Sequence, residues 1–193
     1  MHHIYHTEGL ILSSSDFGEA GKRYAIFTRN LGMIYARATG VRKMPSKLRF
    51  VLQDFSCVKV DLVQGKNFWR ITSASKTNKL ELLSKNRDKL QVFGNIAKLL
   101  IRLLAAAEPN EKLFADLLQG LLILENSKTA EDRRNVEVII VLRALADLGY
   151  IGGGDMLENF VKSPLEEELV YKISKSRSEV LRHINQALKA SNL

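Results

Sequence analysis

Residues 21–50 have the sequence GKRYAIFTRNLGMIYARATGVRKMPSKLRF, and this stretch decides the fold of the first half of the chain. Two segments of apolar, aromatic and β-branched character, 23–28 and 33–38, flank the turn at 29–32. This arrangement predicts a pair of antiparallel strands joined by a short turn. Residues 39–50 contain too few apolar positions for a third strand and predict a long basic loop.

The same stretch has an unusual charge pattern. It carries eight Lys or Arg residues and no Asp or Glu. The aromatic residues Tyr24, Phe27 and Tyr35 lie among these cations. A sheet and a basic loop with interleaved aromatics are typical of surfaces that bind a polyanion with stackable bases. A hairpin with a charged, solvated outer face has the same pattern, so these residues alone leave both interpretations open.

Working outward, alternating apolar residues predict three further strands, at 1–13, 51–63 and 68–74. The turn clusters SSDFG, at 14–18, and QGKN, at 64–67, separate them from their neighbours in the chain. Five short antiparallel strands favour a small closed barrel, because closure removes the exposed strand edges. An OB-type barrel is the specific prediction.

From residue 80 the apolar spacing changes to the three-to-four-residue period of helices. Thr129 is predicted to cap one helix that Gly149 closes, and capping boxes at Ser163 and Ser176 are predicted to open two more. The prediction is therefore an α+β chain. A five-stranded OB-fold barrel at residues 1–78 is followed by an all-α helical bundle at residues 79–193.

The net charge of the chain is concentrated in the predicted barrel. The whole chain has a formal net charge of +8, and residues 1–80 hold 13 Lys and Arg against 5 Asp and Glu. Residues 81–193 are therefore neutral overall. A charge needed only for solubility would be spread along the chain. The segregation predicts a face on the barrel that binds an anionic partner.

Several classes of protein lack support in the sequence. Cys57 is the only cysteine, so no intramolecular disulfide or cysteine zinc site is expected, which fits a cytoplasmic location. His2, His3 and His6 are more simply strand residues than metal ligands, because no nearby carboxylate or cysteine completes a set. No catalytic triad, nucleotide fingerprint or membrane-spanning apolar run is present. We expect no enzyme activity, metal or cofactor.

Several short segments, in this order and spacing, resemble the bacterial RecO family of DNA repair and recombination mediators. They are EGLIL at 8–12, GEA at 18–20, KRYAIFTR at 22–29, GMIYARATGVRK at 32–43, SKL at 46–48 and LQDF at 52–55. In the helical half, residues 108–114 and 148–150 also match. The resemblance implies an N-terminal OB fold and a helical domain, binding of single- and double-stranded DNA, annealing of complementary strands, and assistance in loading the RecA recombinase. The partners it implies are RecR and the single-strand binding protein.

Three features depart from that family. Many members have a four-cysteine zinc site after a Leu-Gly-Tyr like residues 148–150, whereas here IGGG follows and no cysteine does. The chain is also shorter than typical members, so part of the helical domain is expected to be missing. These two departures affect the expected contacts with RecR and the single-strand binding protein more than DNA binding by the barrel. Gly21 stands where an acidic residue is common.

The charge pattern and the resemblance together predict a set of phosphate contacts on the barrel. They are Lys22, Arg23, Arg37, Arg42, Lys43, Lys47, Arg49, Lys66 and Arg70. Tyr35 and Phe68 are the candidates for base stacking, while Tyr24, Phe27 and Trp69 are predicted to be barrel core. Two alternatives stay open at this point. The barrel can serve RNA, because no residue identifies a reader of the 2′-hydroxyl, or the chain can be an adaptor whose helical half docks partner proteins.

Overall fold

The computed structural model describes residues 3–104, 108–152 and 155–191. The strands are β1 (Ile4–Phe17), β2 (Gly21–Thr28), β3 (Gly32–Ala38), β4 (Cys57–Gln64) and β5 (Trp69–Lys76). The helices are α1 (Leu48–Val51), α2 (Arg87–Leu103), α3 (Glu111–Asn126), α4 (Ala130–Asp147), α5 (Asp155–Lys162) and α6 (Glu167–Ala190), with a 3₁₀ turn at Leu83–Lys85.

The chain divides into two compact units. The first contains Met1–Glu81 and Ala97–Glu111, and the second contains Leu82–Ile96 and Lys112–Leu193. The barrel lies in the first unit. The predicted domain boundaries, 1–78 and 79–193, stay predictions. Among the described residues, no helix is both long enough and apolar enough to cross a bilayer.

The five strands close into a barrel in the order β1-β2-β3-β5-β4. Strand β1 pairs antiparallel with both β2 and β4, and β3 and β5 close the remaining gap as a parallel pair. The interior is filled by apolar side chains from every strand, including Ile11, Ile26, Ile34, Val60 and Ile71. This arrangement confirms the predicted α+β class with an OB-type barrel followed by helices.

The first strand is longer than its sequence predicts. Residues 14–17 were expected to form a turn, but β1 continues through Phe17, which pairs with Gly21 at the start of β2. The serines of this segment are compatible with a strand because their partners on β2 supply a continuous ladder. The turn is confined to residues 18–20, where Gly18 adopts a φ of 59° that favours glycine.

The predicted fourth strand begins too early. Leu48–Val51 form the short helix α1 instead, and β4 starts only at Cys57. Between them Phe55 has a φ of 64°, which interrupts any extended run. Leu52 is only 2% exposed although it belongs to no strand. Leu52 is apolar because its side chain packs into the barrel core, and not because it belongs to an alternating strand.

The second unit is built around the apolar faces of its helices. Helix α4 begins as predicted, with a capping box in which the Thr129 hydroxyl accepts from the Asp132 backbone N–H. The helices α3 and α4 approach closely at Gly120, where an added Cβ would lie 2.5 Å from Ile140. Gly149 ends the α4 segment with a φ of 78°, also as predicted.

The two predicted capping boxes further along the chain are wrong. Ser163 does not open a helix, because its hydroxyl bonds to the Asn159 side chain and α6 begins only at Glu167. Ser176 lies inside α6, which is continuous to Ala190. The buried side chains on either side of Ser176, including Ile173 and Val180, form one apolar face, and this packing keeps the helix intact.

Candidate nucleic-acid interface

Three arginines lie in register across the barrel. Arg23 on β2 is the partner of Arg37 on β3, and Arg37 is in turn the partner of Arg70 on β5. Partner residues on neighbouring strands point to the same face of a sheet. The core takes the alternate positions, such as Tyr24, Ala36 and Ile71. The three guanidinium groups therefore form a row on the outer face, which we call the arginine row.

Two phenylalanines hold the centre of this row. The Arg37 guanidinium carbon lies 4.1 Å from the ring centroid of Phe17 and 3.8 Å from that of Phe68. The Arg23 guanidinium carbon lies 5.3 Å from the Phe17 centroid. Cation–π contacts of this kind contribute about 0.5–1 kcal/mol at exposed sites and fix the plane of the guanidinium. The fork of N–H donors is thereby pre-organised for a planar or tetrahedral oxyanion.

The sequence pattern missed Phe17 because it was placed in a turn. Recognising that β1 extends to residue 17 would have put Phe17 beside Arg23 and Arg37. A phenylalanine next to a predicted row of cations is the signal that could have found it.

The stacking candidates are accessible. Tyr35 is 42% exposed and Phe68 is 38% exposed. Tyr35 precedes Arg37 by two residues on β3 and so shares its face. Tyr24 is fully buried in the barrel core, as predicted. Phe27 is also buried, but alternation places it on the other face of β2 and outside that core, so its prediction as barrel core is wrong. Trp69 is half-buried and packs edge-on against Tyr5, with 5.0 Å between the ring centroids.

Within the described residues, most of the predicted phosphate contacts have no acidic partner. Arg42 pairs with Asp16 at 3.1 Å. In the parts of the chain that the structure describes, the other predicted cations have no carboxylate oxygen within 4 Å: Lys22, Arg23, Arg37, Lys43, Lys47, Arg49, Lys66 and Arg70. Their positive charge is therefore uncompensated by the protein itself and available to an external anion.

Other cations of the first unit are used internally. Arg29 and Lys79 both contact the carboxylate of Glu8, at 3.0 and 2.5 Å. Burial alone would raise the pKa of Glu8, but the hydrogen bonds from Lys79 and Arg29 outweigh it and hold that pKa below its ordinary value. Glu8 thus stays ionised and these two cations are structural.

Several cations of the second unit also form ion pairs within the protein. Arg143 pairs with Asp116, Lys112 with Asp147, and Arg133 with Asp88. Other cations of this unit, including Arg134 and Lys175, have no carboxylate oxygen within 4 Å among the described residues. The feature that distinguishes the barrel is therefore the alignment of its arginines in register.

The structure divides the predicted contacts into separate groups. Lys22, Arg42 and Arg49 lie away from the arginine row and line a groove at one end of the barrel. Lys43 and Lys47 are exposed in the segment between β3 and α1, and Lys66 is exposed in the turn between β4 and β5. The predicted phosphate contacts thus fall into three groups, which are the arginine row, the groove and the exposed flanking cations.

Two residues of the groove were not predicted. Phe50, 59% exposed, and Lys76 both line it. An apolar aromatic at the end of a basic loop is a usable signal for Phe50. Lys76 was missed because the predicted fifth strand stopped at residue 74, two residues short of the observed end of β5.

His2, His3 and His6 were predicted to be strand residues and not metal ligands. Among the described residues no group of three potential metal ligands occurs. His6 Nδ1 instead lies 2.6 Å from an Asp61 carboxylate oxygen. His2 lies outside the described residues.

Comparison with known proteins agrees with this architecture. Residues 1–79 match the family described as "Recombination protein O N terminal". Residues 1–79 belong to the RecO family. The chain is 29% identical over 125 residues to the DNA repair protein RecO of Rubrobacter xylanophilus, an alignment that covers 65% of this chain and 50% of the relative.

Other curated relatives extend further along the chain. The DNA repair protein RecO of Desulfitobacterium hafniense is 27% identical and matches 76% of this chain and 52% of its own length. That of Caldanaerobacter subterraneus subsp. tengcongensis is 24% identical and matches 95% of this chain and 72% of its own length. The chain spans about half the length of most of the relatives it matches.

Proposed function

We propose that this chain is a non-catalytic DNA-binding protein of recombinational DNA repair, which holds DNA on the outer face of its barrel. The arginine row carries this proposal. Three arginines in register, without carboxylate partners among the described residues, form a strip of uncompensated charge. The relatives named DNA repair protein RecO support the assignment to repair.

The row suits the backbone of a nucleic acid. Neighbouring strands lie about 4.8 Å apart, so guanidinium groups on three adjacent strands follow one another closely enough to contact successive phosphates. Arginine donates two parallel hydrogen bonds to a phosphate, which makes such contacts directional. Contacts of this kind position the strand without reading its sequence. We therefore expect binding of both single- and double-stranded DNA.

The exposed aromatic rings favour the single-stranded form. Tyr35 and Phe68 lie on or beside the arginine row, where unpaired bases of a strand held by its phosphates can reach them. Each stacked base contributes roughly 1–3 kcal/mol. Bases of a duplex are paired and stacked on one another, so this contribution is absent for double-stranded DNA.

Annealing of complementary strands follows from the same surface. Phosphate repulsion opposes the approach of two strands, and a strip of unpaired cations reduces it. The membership of the RecO family extends the proposal to assistance in loading RecA and to contacts with RecR and the single-strand binding protein. These partner contacts are proposals for the helical half of the chain.

The test is fluorescence anisotropy of a labelled single-stranded oligomer, repeated across salt concentrations. A surface with about five phosphate contacts predicts a log–log slope near −3.5, from roughly −0.7 per contact. The variant R23Q/R37Q/R70Q should bind more weakly, with a slope shallower by about 2. The matched control R134Q/K175Q/K189Q removes the same charge from exposed positions of the helical unit and should leave the slope unchanged.

Equal effects of both triple variants would show that only net charge matters and would remove the arginine row from the proposal. An absence of binding by the wild type at low salt would overturn DNA binding altogether. Competition between DNA and RNA oligomers of the same sequence separates the two nucleic acids. Stronger binding of RNA would reassign the surface to an RNA ligand.

A further inference from the structure

A basic groove opens at the end of the barrel where β2 begins and β5 ends. It has a volume of about 530 Å³, and Lys22, Tyr24, Arg42, Arg49, Phe50 and Lys76 are among its lining residues. Because side chains alternate along a strand, Lys22 and Tyr24 point to the opposite side of β2 from Arg23. The groove is therefore a different surface from the arginine row.

The groove is strongly positive. Lys22, Arg49 and Lys76 have no carboxylate oxygen within 4 Å in the described part of the chain, and Lys22 contacts the Ser14 hydroxyl at 3.3 Å. Arg42 shares its charge with Asp16 at 3.1 Å. Four cations thus line one volume and only one of them is ion-paired, an arrangement that favours an anion carrying more than one negative charge.

Tyr24 lines the groove from the core side, together with Val41 and Leu52, and is only 1% exposed. Its hydroxyl has no hydrogen-bond partner in the part of the chain that the structure describes. Buried polar groups in native proteins nearly always have a partner, so this hydroxyl lacks an acceptor that a ligand can supply. Burial, with Asp54 and Asp16 adding to it, raises the pKa of Tyr24 to about 12. The hydroxyl is therefore a protonated donor at neutral pH.

We propose that this groove binds the terminal phosphate of a nucleic acid strand, with Lys22, Arg42, Arg49 and Lys76 around it and the Tyr24 hydroxyl as a donor. A phosphate at a strand end carries a charge of about −1.5 to −2 and is attached to one sugar, so it can enter a groove end-on. An internal phosphate has one charge and a sugar on each side, so it is confined to an open face such as the arginine row. The inference rests on the proposed binding of DNA and adds recognition of the strand end.

The experiment compares single-stranded oligomers of one sequence that carry a 5′-phosphate, a 3′-phosphate or hydroxyls at both ends, with an internal fluorescent label. Wild-type protein should bind a phosphate-ended oligomer roughly tenfold more tightly than the hydroxyl-ended one, the size expected from one charge-assisted hydrogen bond. The variants Y24F and K76Q should each lower this preference to about threefold or less. Their affinity for the hydroxyl-ended oligomer should stay close to that of the wild type.

The control variant is K59Q, which removes the same charge from an exposed position on β4 that does not line the groove. It should keep the full preference. Y24F removes a hydroxyl that has no hydrogen-bond partner among the described residues, so a thermal melt should show that the variant is folded. Equal binding of all three oligomers by the wild type would overturn the inference and leave the proposed DNA binding intact. A preference that survives in both Y24F and K76Q would also overturn it, and a failure to bind any oligomer would overturn both proposals.

Discussion

Arg37 and Arg70 occupy partner positions on β3 and β5, the parallel strand pair that closes the barrel. Arg23 is the partner of Arg37 on its other side. Like charges in directly opposite positions destabilise a sheet by roughly 0.2–1 kcal/mol per pair. The phenyl rings of Phe17 and Phe68 offset part of this cost. An anion between the guanidinium groups converts the remaining repulsion into attraction, so the row is less favourable in the free protein than in a complex.

This relationship gives the first prediction. Replacing Arg70 with Gln should raise the melting temperature at low salt by about 1–3 °C, because the repulsion with Arg37 is removed, and should weaken DNA binding. Added salt screens the same repulsion, so it should stabilise the wild type more than R70Q. Thermal melts at low and high salt, together with anisotropy, measure both effects. R134Q serves as the control, and a lower melting temperature of R70Q at both salt concentrations would contradict the argument.

The second prediction concerns Phe68. The variant F68A should bind single-stranded DNA more weakly by a factor equivalent to roughly 1–3 kcal/mol, because it loses both a stacking platform and the ring that orients Arg37. Binding of double-stranded DNA should change less. Anisotropy with single- and double-stranded oligomers of one sequence gives the ratio of the two losses.

Two further variants sharpen this test. F68L keeps an apolar contact with Arg37 but offers no aromatic face, and we expect it to resemble F68A. Y171A truncates an aromatic side chain that is 74% exposed in the helical unit, and it should leave both affinities unchanged. Equal losses for single- and double-stranded DNA in F68A would assign Phe68 to holding Arg37 and not to base stacking.

The barrel could be predicted from the sequence because two patterns recur along its strands. Alternation of apolar and polar residues is strong in residues 58–62, and turn residues stand between most segments. Closure followed from the number and shortness of the strands. The in-register alignment of Arg23, Arg37 and Arg70 did not follow from the sequence, since the pairing of β3 with β5 joins residues more than 30 positions apart. The composition gives the number of cations, whereas only the register of the strands shows which cations lie next to one another.

The residues that line the groove could not be predicted from the sequence either. Lys22 and Arg23 are adjacent in sequence, and charge counting treats them alike. In the structure they lie on opposite sides of β2. Lys22 lines the groove with Tyr24, and Arg23 lies on the outer face opposite Arg37. The helix α1 also places Phe50 beside Arg49, with 4.5 Å from guanidinium carbon to ring centroid, where a loop had been predicted. Local propensity in a short charged segment is too weak to decide between these outcomes.

The third prediction concerns the pH dependence of barrel stability. The folded-state pKa of Glu8 lies below its ordinary value of 4.5 despite burial, because Lys79 and Arg29 hydrogen-bond to the ionised form. A group whose pKa is lowered by folding stabilises the protein above its unfolded-state pKa, and the contribution is lost as the pH falls through the folded-state value. E8Q should therefore cost roughly 1–3 kcal/mol near neutral pH, and less below about pH 4.5.

Urea unfolding followed by the fluorescence of Trp69, the single tryptophan, measures this difference at neutral and acidic pH. The exposed Glu19 in the turn after β1 provides the control, and E19Q should match the wild type at both. A deficit for E8Q that stays constant or grows on acidification would show that the carboxylate charge is not what stabilises the contact.

The fourth prediction concerns the buried arginine of the helical unit. Arg143 is 4% exposed, its Nη1 lies 3.1 Å from Asp116 Oδ1, and its Nε donates to the Phe160 carbonyl at 2.9 Å. Its Nη2 donates to the Ser163 carbonyl. Removing one partner of a buried ion pair leaves the other uncompensated and costs about 3–5 kcal/mol. R143M should therefore lower the free energy of unfolding of the helical unit by this amount, measured by denaturant titration of the helical circular-dichroism signal.

The conservative variant R143K separates charge from geometry. Lysine keeps the positive charge near Asp116 but has no planar fork, so it cannot satisfy both carbonyls and the carboxylate together. We expect it to be less stable than the wild type and more stable than R143M. The exposed Arg134 on the same helix supplies the matched control, and R134M should change stability little. If R143M were as stable as R134M, the network around Arg143 would contribute nothing to the fold, and its full set of hydrogen bonds would need another explanation.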